Sequence, residues 1–223
     1  MSFSGTNGEM EMNRMPKDEA FTLLELLVVI AIIAILLGLV FPVFQGVQER
    51  AKKVQAKNDL TQIVTAANAF YTEYGRYPIN SSTAADTYFG SGSAPSGSTS
   101  GGTNDALFNE LRGCNATTPC CSATATLNSR QIAFISPPAP CTATARSGIA
   151  SNGQYSDPWA MPYNIEIDGN YDNQMSNAYS ANNGAGPGIL ATGVIAWSYG
   201  KDKTLGNNSD GKFTNSDDVI SWQ

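Results

Sequence analysis

Residues 26–44 read LLVVIAIIAILLGLVFPVF, nineteen positions without a charge. As a helix rising about 1.5 Å per residue, such a run is about 28 Å long, the thickness of a bilayer's hydrocarbon core. A secretory signal has a shorter apolar core, roughly 7–15 residues, followed by a small-x-small cleavage site. No such site follows here, so the run predicts a membrane-spanning helix. One carboxylate, Glu25, stands at its front edge. An acid inside an apolar helix costs about 2.5–3.5 kcal/mol on insertion scales, less near the interface, and calls for a partner. A positive charge would appear if the chain were cut just before Phe21. The new α-amino group would then lie one helical turn from Glu25, or beside the Glu25 of a neighbouring copy.

The 223 residues suit one domain with an appended element. Histidine is absent, which removes the commonest general base and excludes Ser-His-Asp and Cys-His catalysis. The chain therefore reads as non-enzymatic. Net charge is −6 and no basic run is long enough to track phosphates, so nucleic acid is a poor partner. The four cysteines, Cys114, Cys120, Cys121 and Cys141, cluster in a polar, small-residue region, which suggests disulfides and an oxidising compartment. Joining the neighbours Cys120 and Cys121 would be strained. Cys114 is therefore expected to pair with one of them and Cys141 with the other, free thiols being the alternative.

The stretch Ala20-Phe21-Thr22-Leu23-Leu24-Glu25 and the apolar run behind it resemble the prepilin leader and first segment of type IV pilins and type II secretion pseudopilins. In that family a membrane peptidase cuts before the Phe and methylates its amine. The glutamate five residues into the mature chain is matched to the amine of the adjacent subunit. By this resemblance Ala20 and Phe21 are the processing and methylation positions and Glu25 the assembly residue. Pro42 matches the family's helix-bending proline. Ala20 replaces the usual Gly, and residues 1–20 carry four acids against Arg14 and Lys17 where family leaders are basic. Arg50, Lys52, Lys53 and Lys57 follow the apolar run; counted naively they put the C-terminal part in the cytoplasm. The resemblance and the cysteines argue for the opposite orientation.

Past residue 44 the apolar positions become a stripe: Val47, Ala51, Val54, Leu60, Ile63, Val64, Ala67, Tyr71 and Tyr74. Gly75 can take the left-handed stop position and Pro78 forbids resumption. One helix from about residue 21 to 74 is expected, its second half packed on a soluble domain. The Tyr-x-x-x-Gly-x-Tyr-Pro close at 71–78 again resembles the major, G-type pseudopilins.

Residues 90–102, GSGSAPSGSTSGG, predict a mobile surface loop. Residues 105–112 suit a short helix, and 132–135 form the strand-like patch of the middle region. Residues 164–167 alternate as a half-buried strand would, and 193–199 form a second. Short antiparallel strands on one helix make an α+β fold of the type IV pilin-like kind. Its segments are a leader (1–20), a transmembrane and filament-core helix (21–44), an amphipathic helix (45–75), a variable cysteine region (76–150), and a sheet with a C-terminal acid loop (151–223).

That loop places Asp202, Asp210, Asp217 and Asp218 among Gly and Asn residues able to turn tightly. Hard cations such as Ca²⁺ favour carboxylate and carbonyl oxygens on such loops. As an EF-hand the match is degenerate, with Gly206 where the first Asp belongs. The Asp157-Pro158-Trp159 turn, with Ala160 where G-type pseudopilins have Gly, and the closing pattern over Ser198, Gly200, Asp202, Gly206, Asp218, Val219 and Trp222 resemble those pseudopilins, which hold one calcium there. The resemblance implies Asp202 and Asp218 as ligands, Asp217 next, Asp210 last, and the Leu205 carbonyl as a backbone ligand. It also implies that Trp222 packs beneath. The bland alternative is a solvated acidic turn.

The expectation is thus a structural pseudopilin of a type II secretion system. It is single-pass in a bacterial inner membrane with its C-terminal domain periplasmic. It polymerises with itself and other pseudopilins, and it meets membrane lipid, the prepilin peptidase and the inner-membrane secretion platform. The alternatives are a type IV pilin for adhesion, motility or DNA uptake, the last bringing a nucleic-acid partner, or a membrane-anchored calcium-dependent binding protein that never polymerises.

Overall fold

The computed structural model describes residues 22–80, 85–179, 184–207 and 210–223. The chain divides into two units, residues 1–47 and 48–223. Secondary structure opens with α1 (Leu23–Tyr74), which Pro42 does not interrupt. Its stop is as expected: Gly75 takes φ 67° and its N–H closes on the Tyr71 carbonyl at 2.8 Å.

In the first unit the described side chains of α1 are exposed although apolar, Leu23, Ile35 and Leu37 among them. Among the described residues, no helix is long and apolar enough to cross a membrane. The leader, with Ala20 and Phe21, lies outside the described residues.

The second unit is α+β. Residues Ala56, Leu60, Ile63, Ala67 and Phe70 of α1 are buried against one face of a sheet. The sheet has the order β2 (Thr99–Gly102), β1 (Thr87–Phe89), β5 (Asn164–Ile167), β8 (Val194–Ser198), β9 (Val219–Ile220). Every pairing is antiparallel except β1 with β2, which is parallel. A short helix α2 (Asn104–Leu111) lies close to the 105–112 expected. Two small hairpins complete the unit, β3 (Gly148–Ile149) with β4 (Tyr155–Ser156), and β6 (Met175–Ser176) with β7 (Ile189–Leu190).

Three expectations change. The end of the Gly/Ser stretch is ordered as β2, because the Thr99 N–H and hydroxyl reach the Asp86 carbonyl at 2.8 and 3.1 Å. Residues 132–135 form no strand: the Phe134 N–H instead caps the end of α2 on the Leu111 carbonyl at 2.8 Å. And β5 is buried on both faces. Ile165 and Ile167 face α1, while Tyr88, Ile195, Trp197 and Ile220 build a second core with Met175, Tyr179, Ala185 and Leu190. Met175, Tyr179, Ala185 and Leu190 thus cover what the alternation alone would leave as a wet face.

Disulfides join Cys114 to Cys121 and Cys120 to Cys141, with Cα atoms 6.0 and 5.5 Å apart. This is one of the two pairings expected, and it avoids the strained vicinal bond.

Candidate functional site

Two places carry the residues singled out above, one in each unit. At the start of α1, Thr22 and Glu25 form a reciprocal cap. The Thr22 N–H and hydroxyl donate to Glu25 Oε2 at 3.0 and 2.9 Å, and the Glu25 N–H donates to the Thr22 hydroxyl at 3.2 Å. The single acid at the front of the apolar run thus has a local partner that insertion energetics did not reveal. The carboxylate stays at the exposed edge of the helix, held by its own first turn.

The second place is the acid loop. Carboxylate oxygens of Asp202, Asp217 and Asp218 lie within 4.8 Å of one another. Each is placed by a backbone device. Asp218 directly precedes β9, so the sheet fixes it. Asp217 Oδ2 accepts from the N–H of Lys201 and, at 3.1 Å, from that of Asp202, which ties the two sides of the loop together. Asp202 Oδ1 takes the Thr204 N–H at 2.9 Å.

Asp218 is the buried member. Its Oδ2 accepts from the Tyr179 hydroxyl at 2.7 Å and the Gly206 N–H at 2.8 Å, while its Oδ1, also buried, has no hydrogen-bond partner among the described residues. Burial, reinforced by the charges of Asp217 and Asp202 and opposed by those two hydrogen bonds, pushes its carboxyl up to about 7. Gly206 can make its contact because it sits at φ 73° with its α-carbon against the Lys212 backbone, where a Cβ would collide.

The other two residues singled out stand differently. Asp210 Oδ1 accepts from the N–H groups of Asn207 and Lys212, both at 2.9 Å, so it shapes the turn and is not among the three converging acids. The Leu205 carbonyl accepts from the Gly211 N–H at 3.3 Å, and its side chain packs on the second core. Trp222 also packs there, its indole N–H on the Ala185 carbonyl at 2.7 Å and its ring 6.2 Å from that of Tyr179.

Tyr179 is the residue that sequence reasoning missed. It lies 39 positions from Asp218, in no motif, and only the packing of Met175, Tyr179, Ala185 and Leu190 on the sheet brings its hydroxyl to the carboxylate. An orphaned buried oxygen flanked by two further carboxylates fits a hard divalent cation, which takes its ligands from such oxygens.

The second unit is an α+β domain, and in the first unit the opening turn of α1 carries a Thr-Glu cap. The prokaryotic N-terminal methylation motif matches residues 15–41. Over part of its length the chain is homologous to two kinds of known protein. It is 42% identical over 62 residues to the type IV major pilin protein PilA of Myxococcus xanthus, covering 28% of each chain. It is 37% identical over 67 residues to the type II secretion system core protein G of Escherichia coli, covering 30% of this chain and 46% of that one. The protein G of Klebsiella pneumoniae is 36% identical over 64 residues, again 46% of its length. The chain therefore spans less than half the length of these relatives. No solved structure matches it.

Proposed function

We propose that the protein is a structural subunit of a type II secretion pseudopilus, cut before Phe21 and polymerised through its N-terminal helix. The observation that carries this reading is the placement of Glu25 five residues into the processed chain, at the mouth of an uncharged run and inside a matched methylation motif. The apolar helix anchors the unassembled subunit in the bacterial inner membrane, with the cysteine-bearing domain on the oxidising, periplasmic side. In the filament the exposed apolar side chains of α1 find cover against copies of themselves and of other pseudopilins. Glu25 meets the amine of the neighbouring subunit, and the match of the two charges in an apolar surrounding sets the register. The prepilin peptidase and the inner-membrane secretion platform are the remaining partners. No catalytic role is assigned to any residue.

Asp202, Asp217 and Asp218 hold one structural Ca²⁺, and the Leu205 carbonyl is a further oxygen in reach of the loop. The ion supplies positive charge to three carboxylates that otherwise repel one another. Tyr179 and the Gly206 N–H orient Asp218 towards it.

The similarity to PilA supports a second reading, a true type IV pilin assembled into surface fibres. Mass analysis of the N-terminus of the membrane-fraction protein tests what the two readings share: an N-methylated Phe21 is expected, and a retained residue 1–20 segment rejects both. A deletion strain then separates them. Lost secretion with no loss of surface fibres supports the pseudopilus, and the reverse supports the pilus.

A further inference from the structure

Arg50, Lys52, Lys53 and Lys57 follow closely on the apolar run in a chain of net charge −6, and the filament reading makes no use of them. They stand where α1 enters the second unit, and the fold brings two more cations to the same place. Glu49 marks the meeting point. The Lys52 ammonium donates to its Oε1 at 2.8 Å and the Trp159 indole N–H to its Oε2 at 3.0 Å. These two bonds, joined by the charges of Lys52 and Lys201, hold the Glu49 carboxyl below its usual range. Lys203, two residues after Lys201, acts in the same way on Asp157, whose Oδ1 takes the Trp159 N–H at 2.9 Å. Two segments far apart in the chain thus gather cations around the Trp159 turn.

The neighbouring acids do not cancel this charge. Glu49 is matched by Lys52. Asp157 is buried, with the Ser198 hydroxyl on its Oδ2 at 2.5 Å. Asp202, between the two lysines, has its carboxylate within 4.8 Å of those of Asp217 and Asp218. Lys57 is spent on the carbonyls of Ile220 and Ser221 at 2.7 and 3.3 Å. Arg50, Lys53, Lys201 and Lys203 form no ion pair among the described residues, and all but the half-buried Lys53 are exposed. They make a positive patch on an acidic protein.

The chain itself brings an anionic surface within reach of that patch. Arg50 and Lys53 stand six and nine residues past Phe44, about 9 and 14 Å at the rise of a helix. The polar layer of a bilayer adds about 5–8 Å to each face of the hydrocarbon core, and its charge is felt for about 8 Å more at physiological salt. With the apolar run inserted, both side chains fall inside that range. A Lys or Arg there favours a surface bearing anionic lipid by about fivefold.

We propose that Arg50, Lys53, Lys201 and Lys203 seat the second unit of the unassembled subunit on the anionic phospholipid of the membrane surface. This rests on the reading of residues 26–44 as a membrane anchor. The contact exists while the apolar run lies in lipid, and it is given up when the subunit enters the filament.

The test uses the full chain in nanodiscs of phosphatidylcholine with about 30% phosphatidylglycerol. A photoreactive p-benzoylphenylalanine replaces exposed Ala51, beside Arg50, or in a second sample exposed Leu36 of the apolar run. After illumination the adducts are identified by mass. At position 36 the two lipids should be captured in the ratio of the disc. At position 51 phosphatidylglycerol should be enriched about threefold or more over that ratio. Arg50→Gln with Lys53→Gln should return capture at 51 to the disc ratio, and Lys201→Gln with Lys203→Gln should lower it, both leaving position 36 unchanged. The proposal is overturned if position 51 captures no lipid or captures it in the disc ratio, or if either double variant leaves the enrichment intact. Capture of a second copy of the chain at 51 would overturn it too and give the patch to subunit contact. Absence of lipid adducts at position 36 is a separate result, which removes the anchor reading and this proposal with it.

Discussion

Ala160 sits at φ 66°, where an L side chain crowds its own carbonyl. It occupies the centre of the turn that Asp157 organises, accepting the N–H groups of Trp159 and Met161 at 2.9 and 2.8 Å and the Ser198 hydroxyl at 2.5 Å. The turn therefore holds Ala160 in a conformation that glycine adopts freely. Ala160→Gly is expected to stabilise the domain by about 0.5–1 kcal/mol, read from urea unfolding; an unchanged midpoint would place the strain elsewhere. Glu166 is a different case. It points into the second core from the central strand of five, with Ser98 donating to Oε1 and no partner for Oε2 among the described residues. Burial, countered by Ser98 and reinforced by Asp86, raises its carboxyl from 4.5 to about 7. Folding thus takes up a proton, and the contribution of Glu166 to stability falls as pH rises from about 4.5 to about 7 and is level above that. Glu166→Gln should remove this slope. The difference in unfolding free energy between parent and variant will change across that window and hold constant beyond it; a constant difference throughout would show that Glu166 ionises freely.

At the scale of elements, α1 beyond residue 48 is a core element before it is anything else. Phe70 is fully buried, with its ring centre 4.5 Å from that of Tyr74 and 5.3 Å from that of Phe134, so it locks the helix to the cysteine region. Phe70→Ala should cost about 3–5 kcal/mol in chemical denaturation, and a loss under about 1 kcal/mol would mean that helix and domain are not packed as described. Polar ties set the register of the same helix: Asp59 accepts the Tyr163 hydroxyl at 2.8 Å, Glu49 accepts the Trp159 indole N–H at 3.0 Å, and Lys57 donates to the carbonyls of Ile220, Ser221 and Gln223. The cysteine region is held in the same manner. Glu110 of α2 takes the N–H groups of Thr126, Leu127 and Asn128 at 2.8–2.9 Å, so a stretch without regular structure is still anchored. This also explains why 132–135 never becomes a strand. Its backbone groups are used by Asn128 and Leu111 before any sheet edge can reach them.

At the scale of the whole molecule, the acid loop joins the chain's last strand to its second core, so an ion there should be felt as global stability. At a Ca²⁺ concentration 100-fold above Kd, the gain is about 2.7 kcal/mol, or about 5–10 °C in melting temperature for a chain of this size. Asp218→Asn should abolish the calcium-dependent part of the shift while leaving the domain folded in EDTA. Equal melting of the parent with calcium and with EDTA would reduce the loop to a solvated turn.

How much of this could be read beforehand follows from the range of the interactions concerned. The long helix, its stop at Gly75, the short helix before the cysteines, the strands at 164–167 and 194–198 and the non-vicinal disulfide pairing all rest on local pattern or on covalent limits, and the chain states them within a few residues. The methylation motif is of the same kind, a contiguous string. What could not be read depends on distant segments. The Gly/Ser stretch becomes an edge strand because Asp86 offers it a carbonyl. Glu166 is buried because Met175, Tyr179, Ala185 and Leu190 build a second core on the face its alternation assigned to water. Tyr179 reaches Asp218 across 39 residues. Backbone propensity and apolar periodicity act over a few positions and are written in order along the chain. The partner of a buried polar group is chosen by whichever segments the core brings together, and tertiary packing alone decides that.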